Sequence, residues 1–370
     1  MAARLFLSLS LLCLAAQAAA RQRVLLYTYA QGYQHASRYD AAEALEKLGD
    51  EHSFSTVHLD EPTQLEENGW LDQFDALVFI STSGHALTPQ GARNMRRYIE
   101  AGGGWMGIHE ASDTAYEYPW YGRLCGAYFG GHPFIQHAEF EVAPDHADHP
   151  SVTAVPKHWD VFGEVYHFSS DPRALNHEVV LTVDPSSYIS NDATRKELNA
   201  IQGAPHPIAW YKEGNLLTAP KGSVGGGVDD KPDTKRSQRG TGGDGRSFYT
   251  ALGHTSASFR DADMLNHILG GLQWVLASPS IRSASADAPP TAPGTRYVGG
   301  APAISPNATT PAATVGSNRT SGAANVTRVG VPDAVLGKAG AAASLRPSTM
   351  AVGTGSALVA LSLAGLFVLQ

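Results

Sequence analysis

The sequence predicts one α/β domain, built on a mostly parallel β-sheet with helices packed on both faces. Short, continuously apolar runs such as VLLYTY and ALVFI are typical of strands that are buried on both faces. Helical patterns alternate with these runs, as expected for β-α units of a parallel sheet. The composition changes sharply at Ser278. This leaves roughly 260 residues for a packed core, a length that favours a single domain.

The predicted elements alternate from the first strand onward. A buried strand at residues 24–29 leads through a loop to a helix at residues 37–48. Pro89 opens a second helix, which Gly102 ends after residue 101. A closing helix is expected at residues 261–276. The remaining strands are expected at residues 54–59, 76–80, 105–108, 140–142, 179–183, 208–211 and 248–252.

The first 20 residues have the pattern of a cleavable signal peptide. Arg4 precedes an apolar run at residues 5–16, and three small residues stand before Arg21. A buried N-terminal helix is the alternative, although the run is too short to span a bilayer and ends on an A-x-A pattern. Cys13 would leave with the signal peptide, so Cys125 would have no cysteine partner in the mature chain. We therefore expect the core, and not an internal disulfide, to stabilise the domain.

The C-terminal quarter of the chain has the composition of a surface anchor. Residues 279–349 are rich in Ala, Pro, Thr, Ser and Gly, which predicts a disordered stalk. Three N-x-[ST] sequons mark it for glycosylation, at Asn307, Asn318 and Asn325. Residues 350–370 end in an apolar run after small residues at 340–344, the pattern of a GPI-attachment signal, with a transmembrane helix as the alternative. We expect transit through the secretory pathway and display on the outer face of the plasma membrane or in the cell wall.

The charge distribution excludes one class of partner. The chain carries a formal net charge of −8. Residues 21–280 alone hold 20 basic against 33 acidic residues, a net charge of −13. A domain this acidic is a poor nucleic-acid binder, so we expect no nucleic-acid partner. A Gly-rich, charged segment at about residues 212–246 lies between two predicted strands and predicts a surface insertion.

Histidines follow several predicted strands, at the edge of the sheet where ligands bind in open α/β folds. They are His35, His85, His109 with Glu110, and His254. The middle of the chain adds more candidates, namely His132, His137, His146, His149, Glu164, Tyr166 and His167. A single histidine is usually structural, but several at successive strand ends predict a shared pocket. The cluster could perform acid/base chemistry or bind a divalent metal, but no motif such as H-E-x-x-H identifies one.

Nucleophilic catalysis by a thiol or a serine is not predicted. The turn after the strand at residues 105–108 presents His109, and we expect that imidazole to be exposed in the crevice. Cys125 lies in an apolar context typical of a packed helix. Ser112 lacks the G-x-S-x-G context of a nucleophile elbow.

Several segments together resemble the ThuA (trehalose utilisation) family. They include VLLYTYAQGYQHAS, YIEAGGGWMGIHEASDT, YPWYGRLCGAYFGGHP, DHPSVTAVPKHWDVFGEVYHF, HPIAWY, GRSFYTALGH and GLQWVLA. The resemblance covers about residues 24–277. It implies a flavodoxin-like three-layer sandwich with a mostly parallel sheet, similar to class I glutamine amidotransferases. In that comparison His109 stands where those enzymes have the elbow cysteine, and His254 stands where their catalytic histidine lies, so thiol glutaminase chemistry is not expected.

Three functional hypotheses follow from this resemblance and the residues. The leading one is an extracellular protein acting on a sugar or oxidised sugar, trehalose-related or another glycoside, with His109, Glu110 and His254 as catalytic residues. The expected substrate-binding residues are His35, Tyr118, Trp120, Tyr121, His132, Glu164 and Tyr166. The second is a non-catalytic carbohydrate-binding or cell-wall protein whose aromatic residues stack on sugar rings. The third is a structural relic of the amidotransferase fold.

Overall fold

The computed structural model describes residues 21–190, 192–218, 245–279, 281–282 and 296–297. All of them belong to the first of two units of the chain, Met1–Ile304. The expected signal peptide, the three sequons, the C-terminal apolar run and most of the stalk lie outside the described residues. Residues 219–244 of the expected insertion do so too.

The described helices and strands follow the predicted order closely. The helices are α1 (Ser37–His52), α2 (Pro89–Glu100), α3 (Pro119–Cys125), α4 (Asp192–Asn199) and α5 (Ala262–Leu276). The strands are β1 (Gln22–Tyr27), β2 (Phe54–Leu59), β3 (Ala76–Ile80), β4 (Gly104–Ile108), β5 (Phe129–Gly131), β6 (Gln136–Val142), β7 (His158–Gly163), β8 (His167–Phe168), β9 (Glu178–Val183), β10 (Pro207–Glu213), β11 (Arg246–Thr250) and β12 (Arg296–Tyr297).

Local chemistry explains where the longer helices begin. At α2 the Thr88 side chain accepts a hydrogen bond from the Gly91 N–H at 3.0 Å, and Pro89 occupies the first turn. At α5 the Asp261 carboxylate accepts from the Met264 N–H at 2.9 Å. Each cap satisfies a backbone donor that the helix itself leaves unpaired.

Within the described residues, ten strands form one sheet in the order β12-β2-β1-β3-β4-β11-β10-β9-β6-β7. The strands from β12 to β11 are parallel, which confirms the mostly parallel sheet. From β11 to β7 each neighbour is antiparallel. The sequence did not reveal this second half, because an apolar run does not show the direction of its strand. β5 and β8 form a separate two-stranded sheet.

Opposite faces of β4 pack against different helices. The Cα of Gly104 faces α5 so closely that a Cβ there would lie 2.6 Å from Val275 Cγ1. Trp105, on the other face, packs edge-on against Tyr121 of α3 with 5.8 Å between ring centroids. Both rings are fully buried, and burial of a large apolar side chain stabilises a fold by about 1.5–3 kcal/mol. The three-layer arrangement therefore follows from side chains that alternate along one strand.

The register of the central strands brings their carboxyl ends to one edge. Ile80 of β3 pairs with Ile108 of β4, which pairs with Thr250 of β11. Tyr27, at the end of β1, pairs with Phe79. The segments that follow these strands therefore meet at the same place, and they contain the predicted histidines. None of the helices described in this structure combines the length and apolar character needed to cross a bilayer.

Candidate functional site

Three histidines and a glutamate converge at the carboxyl edge of the parallel strands. His35 lies in the loop after β1, His109 follows β4 directly, and His254 comes four residues after β11. Glu164 reaches the same place from the segment after β7, in the antiparallel half of the sheet. One ligand atom from each of the four residues lies within 4.8 Å of all the others. We call these four residues the histidine site.

His109 occupies a strained turn, as expected for an elbow position. Its φ is 56°, in the left-handed region that non-glycine residues rarely adopt and that often marks functional sites. Tyr249 of β11 supports this turn, since its hydroxyl donates to the His109 carbonyl oxygen at 2.8 Å. The ring itself is fully buried, so the expectation of an exposed imidazole is wrong. The packing of Tyr166, whose ring stacks on His109 with centroids 4.6 Å apart, contributes to this burial.

Backbone and side-chain partners fix the proton of His109. Its Nδ1 donates to the Ala251 carbonyl oxygen at 2.7 Å. In the neutral ring the lone pair is then on Nε2, which points into the site. Tyr166 donates its hydroxyl proton to this Nε2 at 3.1 Å.

His35 is oriented in a similar way by Glu110. Its Nδ1 lies 2.8 Å from Glu110 Oε2, and both side chains are buried. The other ring nitrogen, Nε2, lies 3.1 Å from His109 Nε2 and 3.2 Å from His254 Nδ1. Bare nitrogens this close repel each other unless a proton or a cation lies between them. Glu110 therefore contacts the histidine site from behind, through His35.

Glu164 contributes a carboxylate to the histidine site. Its Oε2 lies 3.2 Å from His254 Nδ1, 3.4 Å from His109 Nε2 and 4.0 Å from His35 Nε2. Its other oxygen, Oε1, lies 3.3 Å from Nε2 of His132, which is about one-third exposed. His132 Nδ1 donates to the Pro133 carbonyl oxygen at 2.6 Å, and this bond sets the direction of its ring.

The spacing of these atoms matches a tetrahedral metal polyhedron. Zinc–ligand bonds of about 2.0–2.2 Å place neighbouring ligand atoms about 3.3–3.6 Å apart in a tetrahedron. Five of the six separations among the four ligand atoms run from 3.1 to 4.0 Å, close to that range. Histidine nitrogens with one carboxylate oxygen are a donor set that suits Zn²⁺ and related divalent metals. Hydrogen bonds from the far side of His35 and His109 are also typical of metal-ligating histidines.

The electrostatics of the site favour neutral imidazoles around a charged carboxylate. Burial, helped by the neighbouring His109, lowers the pKa of His35 to about 3, and burial also lowers the pKa of His109. Burial alone would raise the pKa of Glu164, but the ring nitrogens of His109 and His254 beside its carboxylate hold that pKa well below its usual value. Metal ligation requires these same protonation states.

The pKa of Glu110 is raised, whereas that of Glu164 is lowered. Burial raises the pKa of Glu110 to about 9, with repulsion from Asp113 and Glu164 adding to the shift. At neutral pH the metal-free site therefore holds a proton on the Glu110–His35 pair. A cation bound at His35 Nε2 would displace that proton.

Three of the predicted sugar-binding residues lie away from the site. Trp120 and Tyr121 are buried in the core, where the Tyr121 hydroxyl donates to the Ala111 carbonyl oxygen at 2.8 Å. Tyr118 is half-buried and stacks on Trp120. These rings have packing partners, so the structure does not support their stacking on a sugar.

Other candidates also have structural surroundings. His85 is largely exposed and pairs with Glu117 at 3.0 Å. Cys125 is buried, and burial raises the pKa of its thiol, as expected for a packed and unreactive cysteine. Ser112 is buried, and its hydroxyl lies 2.8 Å from the Tyr249 hydroxyl. Neither side chain is an exposed nucleophile.

Sequence reasoning missed two parts of the site. The carbonyl of Ala251 orients His109, but a backbone group has no signature in a sequence. Tyr33 lies beside His35, with ring centroids 4.7 Å apart, and is 66% exposed. Its place two residues before His35 in GYQH was the available signal.

Comparison with known proteins gives a family match and several similar solved structures. A family model described as ThuA, trehalose utilisation, matches residues 23–275. Among solved structures, the chain is similar to a ThuA-like protein from Bacteroides uniformis, with 22% identity, a TM-score of 0.49, and coverage of 69% of this chain and 91% of that chain. A ThuA-like protein from Parabacteroides merdae has 16% identity, a TM-score of 0.48, and coverage of 70% and 90%.

A glutamine amidotransferase from Thermotoga maritima is more distant, with 17% identity, a TM-score of 0.30, and coverage of 45% of this chain and 69% of that chain. Comparison with curated proteins gives no match.

Proposed function

This chain belongs to the ThuA family, and from that premise we propose that its described domain is a divalent-metal-dependent enzyme that acts on a sugar or an oxidised sugar. The family description, trehalose utilisation, supports the sugar. The metal is supported by the histidine site, where four ligand atoms from three histidines and one glutamate lie within 4.8 Å of one another. That convergence is the observation that carries the proposal.

The surroundings of the site support catalysis more than simple structural packing. His35 and His109 both direct Nε2 inward, because their Nδ1 atoms are held by Glu110 and by the Ala251 carbonyl oxygen. A metal held there would act as a Lewis acid on a carbonyl or hydroxyl oxygen of the sugar. His254 keeps 15% of its side chain exposed, so a substrate would approach from its side.

The chain's own residues would hold the substrate and exclude water. Tyr166 donates a hydrogen bond into the site and covers His109, which keeps bulk water from that face. Glu164 contacts the histidine site through Oε2 and His132 through Oε1. The His132 side chain is more exposed than that of Glu164, so a sugar hydroxyl could reach it.

The test is metal analysis of the purified full chain, followed by turnover assays with and without added Zn²⁺ or Mn²⁺. Trehalose, other glucosides and their oxidised (keto) forms would be incubated with the protein, and products followed by NMR. We expect about one metal per chain and turnover that a chelator abolishes. Saturable sugar binding without turnover would favour the carbohydrate-binding hypothesis instead. If the protein shows neither sugar binding nor turnover, the structural-relic hypothesis is favoured.

We also propose that the protein is displayed outside the cell on a glycolipid. The signal-peptide pattern at residues 1–20, the sequons at Asn307, Asn318 and Asn325, and the apolar C-terminus support this location. Phosphatidylinositol-specific phospholipase should release the protein from intact cells. Retention in the membrane, together with a C-terminal tag that is accessible only from the cytoplasm, would instead indicate a transmembrane helix.

A further inference from the structure

Each histidine of the histidine site lies in a segment whose backbone accepts a hydrogen bond from a buried hydroxyl. The accepting carbonyls belong to Tyr33, two residues before His35, to His109 itself, and to Gly253, one residue before His254. The hydroxyl donors, in the same order, are Ser83, Tyr249 and Ser37. All three donors are buried. We call these three residues the supporting hydroxyls.

The segment of His35 is supported from the loop after β3. Ser83 Oγ donates to the Tyr33 carbonyl oxygen at 2.7 Å, across 50 residues of sequence. In the other direction, the Gln31 N–H donates to the Ser83 carbonyl oxygen at 3.0 Å. The two loops are therefore joined by bonds that run both ways, and the position of His35 is fixed relative to the end of β3.

His109 is supported from β11, 140 residues away in the sequence. Tyr249 donates its hydroxyl proton to the His109 carbonyl oxygen at 2.8 Å. The Ser112 hydroxyl lies 2.8 Å from the Tyr249 oxygen and can donate to it, since a phenol has a single proton. A non-glycine residue with a φ of 56° keeps that conformation only where its surroundings hold it. Tyr249 and Ser112 supply such a hold on the strained turn.

The segment of His254 is supported from α1, 216 residues away. Ser37 Oγ donates to the Gly253 carbonyl oxygen at 3.2 Å. Gly253 has a φ of 127°, which side chains rarely permit, and a Cβ there would lie 3.5 Å from the Cβ of His109. Ser37 also follows His35 by two residues, so this one bond joins the segments of His35 and His254.

We propose that Ser37, Ser83 and Tyr249 are positioning residues, which hold the three imidazoles at ligand spacing before a metal binds. The inference rests on the proposed function, because spacing matters only if the histidine site holds a metal. A buried hydroxyl with a purely structural role could bond any nearby carbonyl. Here all three carbonyls lie within two residues of a ligand or belong to it. Ligands held in place during folding bind more tightly, since binding then needs less ordering.

The experiment compares Tyr249→Phe, Ser37→Ala and Ser83→Ala with the wild type, each as the full chain. Each variant should bind Zn²⁺ about 5- to 10-fold more weakly in calorimetry, the effect expected when one hydrogen bond is lost. Co²⁺ is the second probe, because its visible absorption reports the geometry of its ligands. The Co²⁺ spectrum should shift in each variant, which a loss of stability alone would not cause.

Tyr98→Phe is the matched control. Tyr98 is also a buried tyrosine, and its hydroxyl also donates to backbone carbonyls, those of Phe74 and Gly104. These carbonyls lie at the amino ends of β3 and β4, away from the histidine site. The control should lower the urea midpoint of unfolding as Tyr249→Phe does. Its Zn²⁺ affinity should stay within about twofold of the wild type, with an unchanged Co²⁺ spectrum.

The outcomes separate this inference from the proposed function. If the wild type binds metal and the three variants behave like Tyr98→Phe, the supporting hydroxyls do not position the ligands, and the metal proposal stands. If the wild type binds no metal, the proposed function fails, and the NMR signal of the His109 Nδ1–H decides about the inference. Loss or displacement of this signal in Tyr249→Phe, but not in Tyr98→Phe, supports positioning by Tyr249. An unchanged signal in Tyr249→Phe overturns it.

Discussion

Two groups of buried histidines in this domain both include rings with lowered pKa values, but their surroundings differ. The first is the histidine site. The second is the core histidine pair, His149 and His267, which lies where α5 packs on β11. Burial lowers the pKa of both members of the core pair to about 4, much as it lowers the pKa of His35 to about 3. Burial and a depressed pKa therefore do not distinguish a binding site from a packed core.

The partners of the ring nitrogens make the distinction. In the core pair, His267 Nδ1 donates to the Ser151 carbonyl oxygen at 2.9 Å, and its Nε2 accepts from the Thr250 hydroxyl at 3.0 Å. These neutral oxygens satisfy the His267 ring completely. In His149, Nδ1 lies 2.8 Å from the Ser151 hydroxyl and the buried Nε2 has no hydrogen-bond partner among the described residues. In the histidine site, nitrogens of His35 and His109 face each other, an arrangement that is stable only with a proton or a cation between them. The groups that face its ring nitrogens therefore show whether a buried imidazole belongs to a binding site or to a packed core.

The largest expected effect is from His254→Ala, which removes a ligand atom from the histidine site. Zn²⁺ affinity, measured by calorimetry on the full chain, should fall at least about 100-fold. Without metal the free energy of unfolding should fall by only about 1–3 kcal/mol, because the ring is 15% exposed and its loss leaves the buried Glu164 without this partner. Unchanged Zn²⁺ affinity in a folded variant would show that the histidine site, like the core histidine pair, is not the place where the metal binds.

A smaller effect is expected from Glu110→Gln, which keeps the shape of the residue and removes its charge. Glu110 orients His35 through the 2.8 Å contact at Nδ1, and loss of such a partner typically weakens metal binding about 10- to 100-fold. Glu117→Gln is the matched control, since Glu117 pairs with the exposed His85 at 3.0 Å. Equal effects in the two variants would show that Glu110 has no special role.

The pH dependence of metal binding should be of the order of tenfold per unit. Below a pKa of about 9 the Glu110–His35 pair holds a proton, and a metal on His35 Nε2 must displace it. Protons therefore compete with the metal, so affinity should fall as pH falls from about 8 to 6 and level off above about 9. The charged and titratable groups that act on Glu110 are Asp113, Glu164, Arg38 and its partner His35. The slope should disappear in Glu110→Gln, and a slope that persists there would assign the proton to another group.

The smallest effect on the site is expected from His267→Ala in the core pair. Leaving the Ser151 carbonyl and the Thr250 hydroxyl without this partner should cost about 1–3 kcal/mol of unfolding free energy, measured in urea. Zn²⁺ affinity should stay within about twofold of the wild type, because this ring faces no other ligand atom. A parallel loss of metal binding would show that the two groups are coupled through β11.

The sequence by itself determined the class of fold and the three histidines of the histidine site. Apolar runs and capping residues predicted β1, β2, β3, β4 and α2 to within about two residues, because a buried strand and a Pro-initiated helix are local patterns. His35, His109 and His254 could be grouped from their positions after predicted strands, since parallel strands in one sheet end at one edge.

Only the tertiary structure decided the rest. The antiparallel half of the sheet brings Glu164 to the histidines from a strand whose direction no local pattern reveals. Packing also decided which aromatic rings are free, since Tyr121 has the same chemistry as Tyr33 but lies in the core against Trp105. Burial depends on which surfaces meet when the layers close, and that contact is between residues far apart in the chain.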